Sequence, residues 1–397
     1  MTAVGLFGLL GTGNLGNDGS LAAVLGYLRA EHPSATLHAF CGGPEEVTER
    51  YDVPATRLNW NRAEYRTASG PRLVAGKAFG KLVDAFRTAA WVRRQDVVIV
   101  PGMGVLETTL PTRPWGWPYS LLLMCLSGKL FRTKVVLLSV GAERIESRAI
   151  RTMILRAARL ATYRSYRDEL SRDAMRAMGL DTARDKVYPD LVFGVPAPEP
   201  VAGTGIVGVG VMAYRGNNSD RERGEEIYRA YVTAMTRFVR RLVDGGRTVR
   251  LFTGDQVDES VAAEIIAAVG PSVSMVEVST LDELMAEMAA VDTVVATRYH
   301  NVLCALKLSK PTISIGYAAK NDVMMADFGL GEFCQSARAV DVEALVERFT
   351  ALEDRAAELR ATLAERNRRV ARRVEQQFAE LSALLRPAGA EEPQGVG

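Results

Sequence analysis

Short runs of apolar residues alternate, along most of this chain, with longer stretches in which apolar residues recur every three or four positions. Several of the short runs are rich in valine and isoleucine throughout, which is typical of strands buried on both faces of a parallel sheet. The strand candidates are Val4–Leu10, Thr36–Phe40, Val97–Val100, Val135–Val140, Ile206–Val211, Thr248–Phe252, Val273–Val278, Thr293–Ala296 and Thr312–Ile315. The alternation of strands with amphipathic helices predicts an α/β protein.

A stretch rich in proline and glycine, FGVPAPEPVAGTG at 193–205, interrupts this pattern and is typical of a linker. We therefore expect two doubly wound, Rossmann-like domains, 1–195 and 205–340, that face each other across a cleft. Charged helices are expected over 341–386 and a disordered tail over 387–397. In such sheets ligands bind beyond the carboxyl ends of the strands, so residues that directly follow strands are the candidates for a site.

The first strand candidate leads into GTGNLG at 11–16, which matches the G-x-G-x-x-G fingerprint of dinucleotide-binding turns. That fingerprint needs a carboxylate at the end of the second strand, and the second strand here is followed by Cys41-Gly42-Gly43. The sequence therefore does not favour NAD or FAD. The glycines still allow a tight turn that a ligand can approach, and Asn14 and Asp18 can cap the next helix or contact that ligand. A tight turn without any ligand is the alternative.

Composition narrows the possible partners and the compartment. The 397 residues carry a formal net charge of +2, which gives no case for a nucleic-acid partner. The four cysteines form no CxxC pair, which is typical of reduced thiols in a cytoplasmic protein. The histidines form no cluster with metal-ligand spacing, so we expect no protein-bound metal. The longest apolar run, YSLLLMCL from Tyr119, is too short to span a bilayer.

The strongest candidate for a reactive site is TRYHN at 297–301, which follows a predicted strand and begins a helix. Arg298 can bind an anion there, together with the free N–H groups and the positive dipole of the helix N-terminus. His300 can donate a proton near neutral pH, and Tyr299 shares the turn. A core histidine that only satisfies one hydrogen bond is the alternative for His300.

Other polar residues and glycines also follow predicted strands. Arg167 and Asp168 lie in SYRDELS, before a helix, although in an arginine-rich chain they could simply be surface residues. The remaining candidates are Gly102 and Gly104 in VPGMGVLE, Asp255 in LFTGDQVDES, and Lys320 in YAAKND.

One predicted helix, within ESRAIRTMILRAARLATYR, is both basic and amphipathic. Such a helix could rest against acidic lipid head groups. A solvated helix face is the alternative.

Taken together, these stretches resemble the polysaccharide pyruvyl transferase family over about residues 3–335. The resemblance rests on the order and spacing of GNLGNDG, LLSVGAE, SYRDELS, VYPDLVFGVP and TRYHNVLCALKLSKPTISIGYAAKND. The family is similar in architecture to two-domain GT-B glycosyltransferases.

The resemblance implies an enzyme that moves the pyruvyl (carboxyethylidene) group of phosphoenolpyruvate onto two hydroxyls of a sugar, as a cyclic ketal. It puts Arg298 and His300 at the family's donor-binding and catalytic pair, with His300 as the general acid. It puts Arg167 at a second arginine for the same donor. It implies no metal and no redox cofactor. The general base stays open among Asp18, Asp168 and Asp255.

The acceptor is expected on the N-terminal domain, with Gly11–Asp18 as one wall of its pocket and Arg298 and His300 across the cleft. The expected substrate-binding residues are Gly13, Asn14, Asp18, Gly102, Gly104, Asp168, Asp255, Tyr299 and Lys320. The chain departs from the family pattern at Asn17, which delays the aspartate of the first turn by one position, and at Gly-Met-Gly over 102–104. Both departures lie on the expected acceptor side, so the acceptor is where this chain should differ from its relatives.

Two alternatives stay open: a GT-B glycosyltransferase that uses a nucleotide sugar, and a non-catalytic relative in a glycan-assembly complex. The expected setting is polysaccharide biosynthesis for the cell envelope, in the cytoplasm, with contact at the inner face of the membrane. The acceptor would be a sugar that is lipid- or nucleotide-linked. The sequence leaves the oligomeric state open.

Overall fold

The computed structural model describes residues 2–60, 71–107, 113–199, 201, 203–216 and 218–386. Within these residues the chain forms two compact units. The first unit contains residues 2–12, 20–191 and 373–386. The second contains Gly13–Gly19 and Val192–Arg372. The predicted tail, 387–397, lies outside the described residues.

Each unit is built on one parallel sheet. The strands are β1 (Ala3–Gly8), β2 (Thr36–Cys41), β3 (Ala55–Arg57), β4 (Val97–Pro101), β5 (Lys134–Val140), β6 (Tyr163–Tyr166), β7 (Lys186–Val187), β8 (Ile206–Gly210), β9 (Thr248–Phe252), β10 (Val273–Met275), β11 (Thr293–Ala296), β12 (Thr312–Gly316) and β13 (Cys334–Ser336). The first sheet has the order β3-β2-β1-β4-β5-β6-β7, and the second has the order β10-β9-β8-β11-β12-β13.

The helices join successive strands of each sheet and extend the chain beyond the last one. They are α1 (Leu15–Glu31), α2 (Pro44–Tyr51), α3 (Pro71–Val92), α4 (Trp117–Phe131), α5 (Arg148–Leu160), α6 (Glu169–Ala177), α7 (Gly224–Asp244), α8 (Glu259–Val269), α9 (Leu281–Ala289), α10 (Tyr299–Lys307), α11 (Ala319–Asp327), α12 (Val342–Asp354) and α13 (Ala356–Leu385).

Both sheets have the doubly wound strand order, with a switch point where the order reverses. In the first sheet the switch lies between β1 and β4, and in the second between β8 and β11. The central strands are buried along their length because helices cover both faces of a parallel sheet. Ligands of such folds bind beyond the carboxyl ends of strands at the switch point. In the second unit that is the end of β11, where Arg298 lies.

Within the described residues the structure contains a strand at each of the nine predicted positions and four further strands, of which β6 has four residues and lies between β5 and β7. The additional strands β3, β7 and β13 have two or three residues, and each lies at the edge of its sheet. An edge strand pairs on one side only and need not be apolar, so it leaves little signal in the sequence.

The division into units departs from the domain bounds drawn on the sequence in two places. Gly13–Gly19 belongs to the second unit, although the sequence pattern put all of 1–195 in one domain. The end of α13 belongs to the first unit, where the Glu380 carboxylate accepts hydrogen bonds from Tyr163 Oη at 2.7 Å and Tyr188 Oη at 2.8 Å. The Nζ of Lys134 also donates to the carbonyl of Leu384 at 2.7 Å.

All four cysteines are free thiols, as the sequence predicts. Cys41, Cys125 and Cys304 are buried, and Cys334 is partly exposed. Burial raises the pKa of the Cys125 thiol to about 12 and that of Cys334 to about 11, where Asp322 adds to the effect. Both therefore stay protonated and unreactive near neutral pH.

Candidate functional site

The turn after β11 holds the two residues with the strongest predicted chemistry. Arg298 is the N-cap of α10, in an extended conformation, and His300 lies in the first turn of that helix. The helix begins here because the apolar face formed by Tyr299, Val302 and Leu303 is buried in the second unit. Its first N–H groups therefore lie directly beside the Arg298 side chain.

Arg298 is held by a buried carboxylate that the sequence did not single out. Its Nε and Nη2 atoms donate to Oδ2 and Oδ1 of Asp258, both at 2.7 Å. The Asp258 side chain is fully buried and that of Arg298 is one-fifth exposed. Burial alone would lower the pKa of Arg298, but the Asp258 carboxylate outweighs it and the pKa is raised. The guanidinium is thus a fixed, permanent cation.

Asp258 also joins the ends of three strands. Besides Arg298, after β11, its oxygens accept from the N–H of Ala213, after β8, at 2.9 Å and from the N–H of Gly254, after β9, at 3.4 Å. These strands are neighbours in the second sheet. One carboxylate therefore holds together the loops that follow β8, β9 and β11, at the switch point of this sheet. In the quoted stretch LFTGDQVDES, Asp255 stood out because it follows a strand more closely, and a carboxylate three positions later gave no separate signal.

Asp255 lies in the same loop and plays a local role. Its Oδ1 accepts from the N–H of Val257 at 3.4 Å, which caps a single 3-10 turn. Its backbone pairs with that of Asn14 in an isolated antiparallel bridge. The Asn14 Oδ1 accepts from the N–H of Asn17 at 3.1 Å, so Asn14 caps α1, one of the two roles that the sequence left open for it.

The three glycines of GTGNLG serve three different purposes. Gly11 has a φ of +66°, and a Cβ there would lie 2.3 Å from the carbonyl of Gly43, so the turns after β1 and β2 close on each other. Gly13 has a φ of +83° and faces open space. A Cβ on Gly16 would lie 2.0 Å from the ring of His300. The last glycine of the motif therefore exists to admit this imidazole.

The contact of Gly16 with His300 corrects one expectation. The sequence put Gly11–Asp18 across a cleft from His300, whereas part of that segment packs directly against its ring. The reason is that the motif divides, with Gly11 in the first unit and Gly13–Gly19 in the second. Asp18 follows in the first turn of α1 and is 2% exposed.

Asn301, in the first turn of α10, is a buried residue that the sequence also left aside. It is fully buried, and within the described part of the chain neither atom of its side-chain amide has a hydrogen-bond partner. Its amide lies against Gly210 and Gly254, where a Cβ would come within 2.9 Å and 3.1 Å of it. A buried amide without partners is costly, which is typical of positions that complete their bonds with a ligand or water.

Tyr299 and Lys320, both predicted to bind substrate, come together in the second unit. The Lys320 ammonium lies 5.7 Å from the centroid of the Tyr299 ring and 5.6 Å from that of Tyr317. The Tyr299 ring in turn meets His300 edge-on at 5.2 Å. The arrangement adds a second cation, held over two aromatic faces, to the surroundings of the α10 N-terminus.

Arg167 forms a separate cluster at the end of β6 in the first unit. Its guanidinium lies 2.5 Å from Glu107, 3.6 Å from Asp190 and 3.7 Å from Asp168, and its side chain is 3% exposed. The sequence pointed to Arg167 and Asp168 but not to Glu107 or Asp190. The Arg167 charge is therefore shared among three carboxylates. Asp168 has a further task, because its Oδ1 accepts from the N–H of Ser171 at 2.6 Å and caps α6.

Glycines and a strained methionine shape the loops around that cluster. Gly102 has a φ of +57°, and a Cβ there would lie 2.6 Å from Ser20. Gly104 leaves room for the Glu107 carboxylate, which a Cβ would approach to 2.6 Å. Met103, where the family usually has glycine, takes a φ of +64° that is unfavourable for any residue but glycine or asparagine. Strain of this kind tends to gather at functional sites.

Two further expectations concern metals and membranes. Among the described residues, no three His, Cys, Asp or Glu side chains are grouped so that they could hold a metal ion. No described helix is both long and apolar enough to cross a bilayer. In α5, the basic amphipathic helix, Ile150, Ile154 and Leu155 are buried, so its apolar face packs inward and is not available to lipid.

Comparison with known proteins finds a family for the sequence and solved structures with a similar fold. A family model described as polysaccharide pyruvyl transferase matches residues 14–318. No curated protein matches the chain. The chain resembles the UDP-GlcNAc 2-epimerase of Neisseria meningitidis, solved with UDP-GlcNAc, at a TM-score of 0.59 and 10% identity, over 97% of this chain and 99% of that one.

A second solved structure with the same fold is the glycosyltransferase SnogD from Streptomyces nogalater. It has a TM-score of 0.57 and 17% identity, over 97% of this chain and 99% of that one. At these identities the likeness concerns the fold alone. It confirms the predicted architecture of two doubly wound domains of the GT-B type.

Proposed function

Because this chain belongs to the polysaccharide pyruvyl transferase family, we propose that it moves the carboxyethylidene group of phosphoenolpyruvate onto two hydroxyls of a sugar. The product is a cyclic ketal on a glycan or glycolipid precursor. The family supports a transferase that acts on a polysaccharide, and the donor and the ketal are the proposal.

The observation that carries the proposal is the pairing of Arg298 with Asp258 at the N-terminus of α10, with His300 in the first turn of the same helix. Phosphoenolpyruvate bears a carboxylate and a phosphate. A guanidinium fixed on one edge by a buried carboxylate still has Nη1, which takes no part in that pair, and the positive end of the helix dipole favours an anion at the same place. Asn301 offers a further hydrogen-bonding group at the same place.

The proposed reaction begins with proton transfer from the His300 imidazolium to the methylene carbon of the donor. C2 becomes electrophilic, one sugar hydroxyl attacks it, and the C2–O bond to phosphate breaks, so that phosphate leaves. The second hydroxyl then closes the ring on C2. The two hydroxyl protons balance the proton gained by the methyl group and the proton that leaves with phosphate. Each step is an acid–base or substitution step, so the proposal includes no redox cofactor.

Asp255 is our choice for the base that accepts a hydroxyl proton. It is half-buried at the same switch point as Arg298, and its Oδ1 accepts only a long bond, at 3.4 Å, from the N–H of Val257 among the described residues. Asp18 is almost fully buried, and Asp168 accepts a much shorter bond, at 2.6 Å, from the N–H of Ser171, so both are less suited to accept a proton from a ligand. Two sets of substrate contacts stay predictions. The acceptor is predicted to contact Gly13, Asn14, Gly102 and Gly104. The donor is predicted to contact Arg167, Tyr299 and Lys320.

The acceptor is proposed to be a lipid- or nucleotide-linked sugar, met in the cytoplasm. Free, buried thiols support a reducing compartment. The chain departs from the family pattern at Asn17 and Met103, on the expected acceptor side. We therefore still predict that its acceptor differs from that of its relatives.

The test is to incubate the full chain with phosphoenolpyruvate and a panel of sugar acceptors. Phosphate release should match the gain of one carboxyethylidene group by the acceptor, measured by mass spectrometry. The His300→Gln variant should lower kcat by about 100-fold or more, because a general acid contributes at least that much. The proposed mechanism would be overturned if that variant released phosphate as fast as the parent.

A further inference from the structure

A group of large apolar side chains is exposed on two neighbouring helices of the first unit. Phe79, Leu82 and Phe86 follow one face of α3 at spacings of three and four, and Phe86 is 76% exposed. Leu126 and Leu130 are also exposed, four positions apart on α4, and Leu130 is 73% exposed. Exposed apolar residues are ordinarily scattered singly, so a grouped set needs an explanation.

Tryptophans flank this apolar surface, which we call the α3–α4 face. Trp60 is half-exposed and meets the ring of Phe79 edge-on at 6.1 Å. Trp115 is 61% exposed and lies 5.6 Å from the ring of Tyr119, the hydroxyl of which donates to the carbonyl of Lys81 at 3.1 Å. Tryptophan and tyrosine are enriched where an apolar layer meets water, because each ring is apolar with one polar end.

The chain segments that form the α3–α4 face carry mostly basic residues. Residues 71–94 contain six basic residues and a single acid, Asp84. Asp84 is 5% exposed and is neutralised by Lys81 at 3.5 Å and Arg87 at 3.7 Å. Residues 113–132 contain three basic residues and no acid. The two segments that contain α3 and α4 therefore carry a large excess of positive charge, although the whole chain has a net charge of only +2.

We infer that the α3–α4 face docks the protein on the surface of a bilayer that contains anionic lipids. Apolar side chains on a helix pair, a fringe of basic residues and flanking tryptophans are the features of a surface that lies in the lipid–water interface. Membrane contact, which the sequence suggested for α5, moves to α3 and α4, because the apolar side chains of α5 are buried. A second protein copy would bring the same positive charges face to face, which disfavours that occupant.

Binding to vesicles tests this inference with the full chain. The protein is sedimented with vesicles of phosphatidylcholine alone and with vesicles that also contain phosphatidylglycerol. Binding to the anionic vesicles should exceed binding to the neutral ones by about tenfold or more and should fall at high salt. Vesicle binding needs no turnover, so it stands or falls separately from the proposed ketal chemistry.

Substitutions locate the surface. Phe86→Ser and Leu130→Ser should each weaken binding to anionic vesicles by about tenfold, because each removes a side chain that would enter the interface. The control is Leu170→Ser, which changes an exposed leucine on α6, elsewhere in the same unit. This variant should bind anionic vesicles as tightly as the parent does. Activity on a soluble acceptor should be equal in all of them.

Three outcomes would overturn the inference. The parent could fail to bind anionic vesicles at low salt. The Phe86 and Leu130 variants could bind as tightly as the parent. The parent could instead form a dimer that these substitutions dissociate, with no binding to vesicles, which would make the α3–α4 face an interface between two copies.

Discussion

At the scale of single residues, Asp258 decides what Arg298 can do. The carboxylate occupies the Nε and Nη2 edge of the guanidinium and also holds the N–H of Ala213 and Gly254. An unsupported arginine at this position could adopt many rotamers, and each would present a different edge to a ligand. A fixed one presents the same atoms each time, which lowers the entropic cost of binding.

Replacing Asp258 with asparagine should therefore affect both stability and donor binding. Breaking a buried ion pair by neutralising one partner costs about 3 kcal/mol of the free energy of unfolding. The KM for phosphoenolpyruvate should rise at the same time, since Arg298 loses its support. Urea unfolding and initial-rate kinetics measure the two effects.

Asp255→Asn is the matched control for stability, because that residue lies in the same loop and outside the buried pair. Its unfolding free energy should stay within about 0.5 kcal/mol of the parent. Equal destabilisation by the two substitutions would contradict the role given to Asp258.

Gly16 should be intolerant of even a methyl group. A Cβ there would lie 2.0 Å from the His300 ring, so Gly16→Ala must displace the imidazole and should reduce kcat by about tenfold or more. The control is Gly26→Ala in the same helix, where a Cβ meets nothing within 4 Å. That change should leave kcat as it is and raise stability by up to about 1 kcal/mol. Equal activity of the Gly16 variant and the parent would argue against a catalytic position for this ring.

Sequence pattern located part of the site and missed the rest for a physical reason. Arg298 and His300 could be found because they follow a strongly apolar strand and begin a helix. Asp258, Glu107 and Asp190 could not, because each matters through a charged partner that is distant in the sequence. Periodicity reports which face is buried, and it does not report which carboxylate meets which guanidinium.

At the scale of elements, the strands that are apolar throughout were predictable, whereas the short edge strands β3, β7 and β13 were not. The central strands β4 and β11 are apolar throughout, whereas β7 has two residues, Lys186 and Val187, and neither is buried. Helix α5 shows the limit for helices. Its amphipathic pattern was correct, but a pattern alone cannot say whether the apolar face meets protein or lipid, and here it meets protein.

Strand β2 and helix α3 are joined by a hydrogen bond that depends on pH. Trp91 Nε1 donates to Nδ1 of His38 at 2.8 Å, which requires that nitrogen to carry no proton. Burial lowers the pKa of His38, the nearby Arg94 lowers it further, and the Ala39 backbone opposes them in part. The unfolded chain therefore takes up the proton first as the pH falls below about 6.5.

The free energy of unfolding should accordingly fall between about pH 6.5 and the lower pKa of folded His38, by at most about 1.4 kcal/mol per pH unit from this group. Urea titrations at a series of pH values measure the slope. His38→Asn should remove this part of it. An identical slope in the variant would show that other groups account for the pH dependence.

At the scale of the whole molecule, the family and the two-domain architecture could be predicted because motifs along most of the chain keep their order. The assignment of Gly13–Gly19 to the second unit could not. It includes the contact of Gly16 with His300, two residues that are far apart in the sequence. The last glycine of the dinucleotide-like motif thus packs against the ring of the proposed acid, His300.

The central claim is that this molecule binds phosphoenolpyruvate through Arg298, and ligand-induced stabilisation tests it without any knowledge of the acceptor. A ligand that binds only the folded state raises the unfolding temperature, and at a given concentration it does so more the tighter it binds. The measurement compares phosphoenolpyruvate with a panel of UDP- and GDP-sugars on the parent and on Arg298→Gln. We predict that phosphoenolpyruvate stabilises the parent and not the variant. Stabilisation of the parent by a nucleotide sugar, with none by phosphoenolpyruvate, would contradict the account and favour a glycosyltransferase.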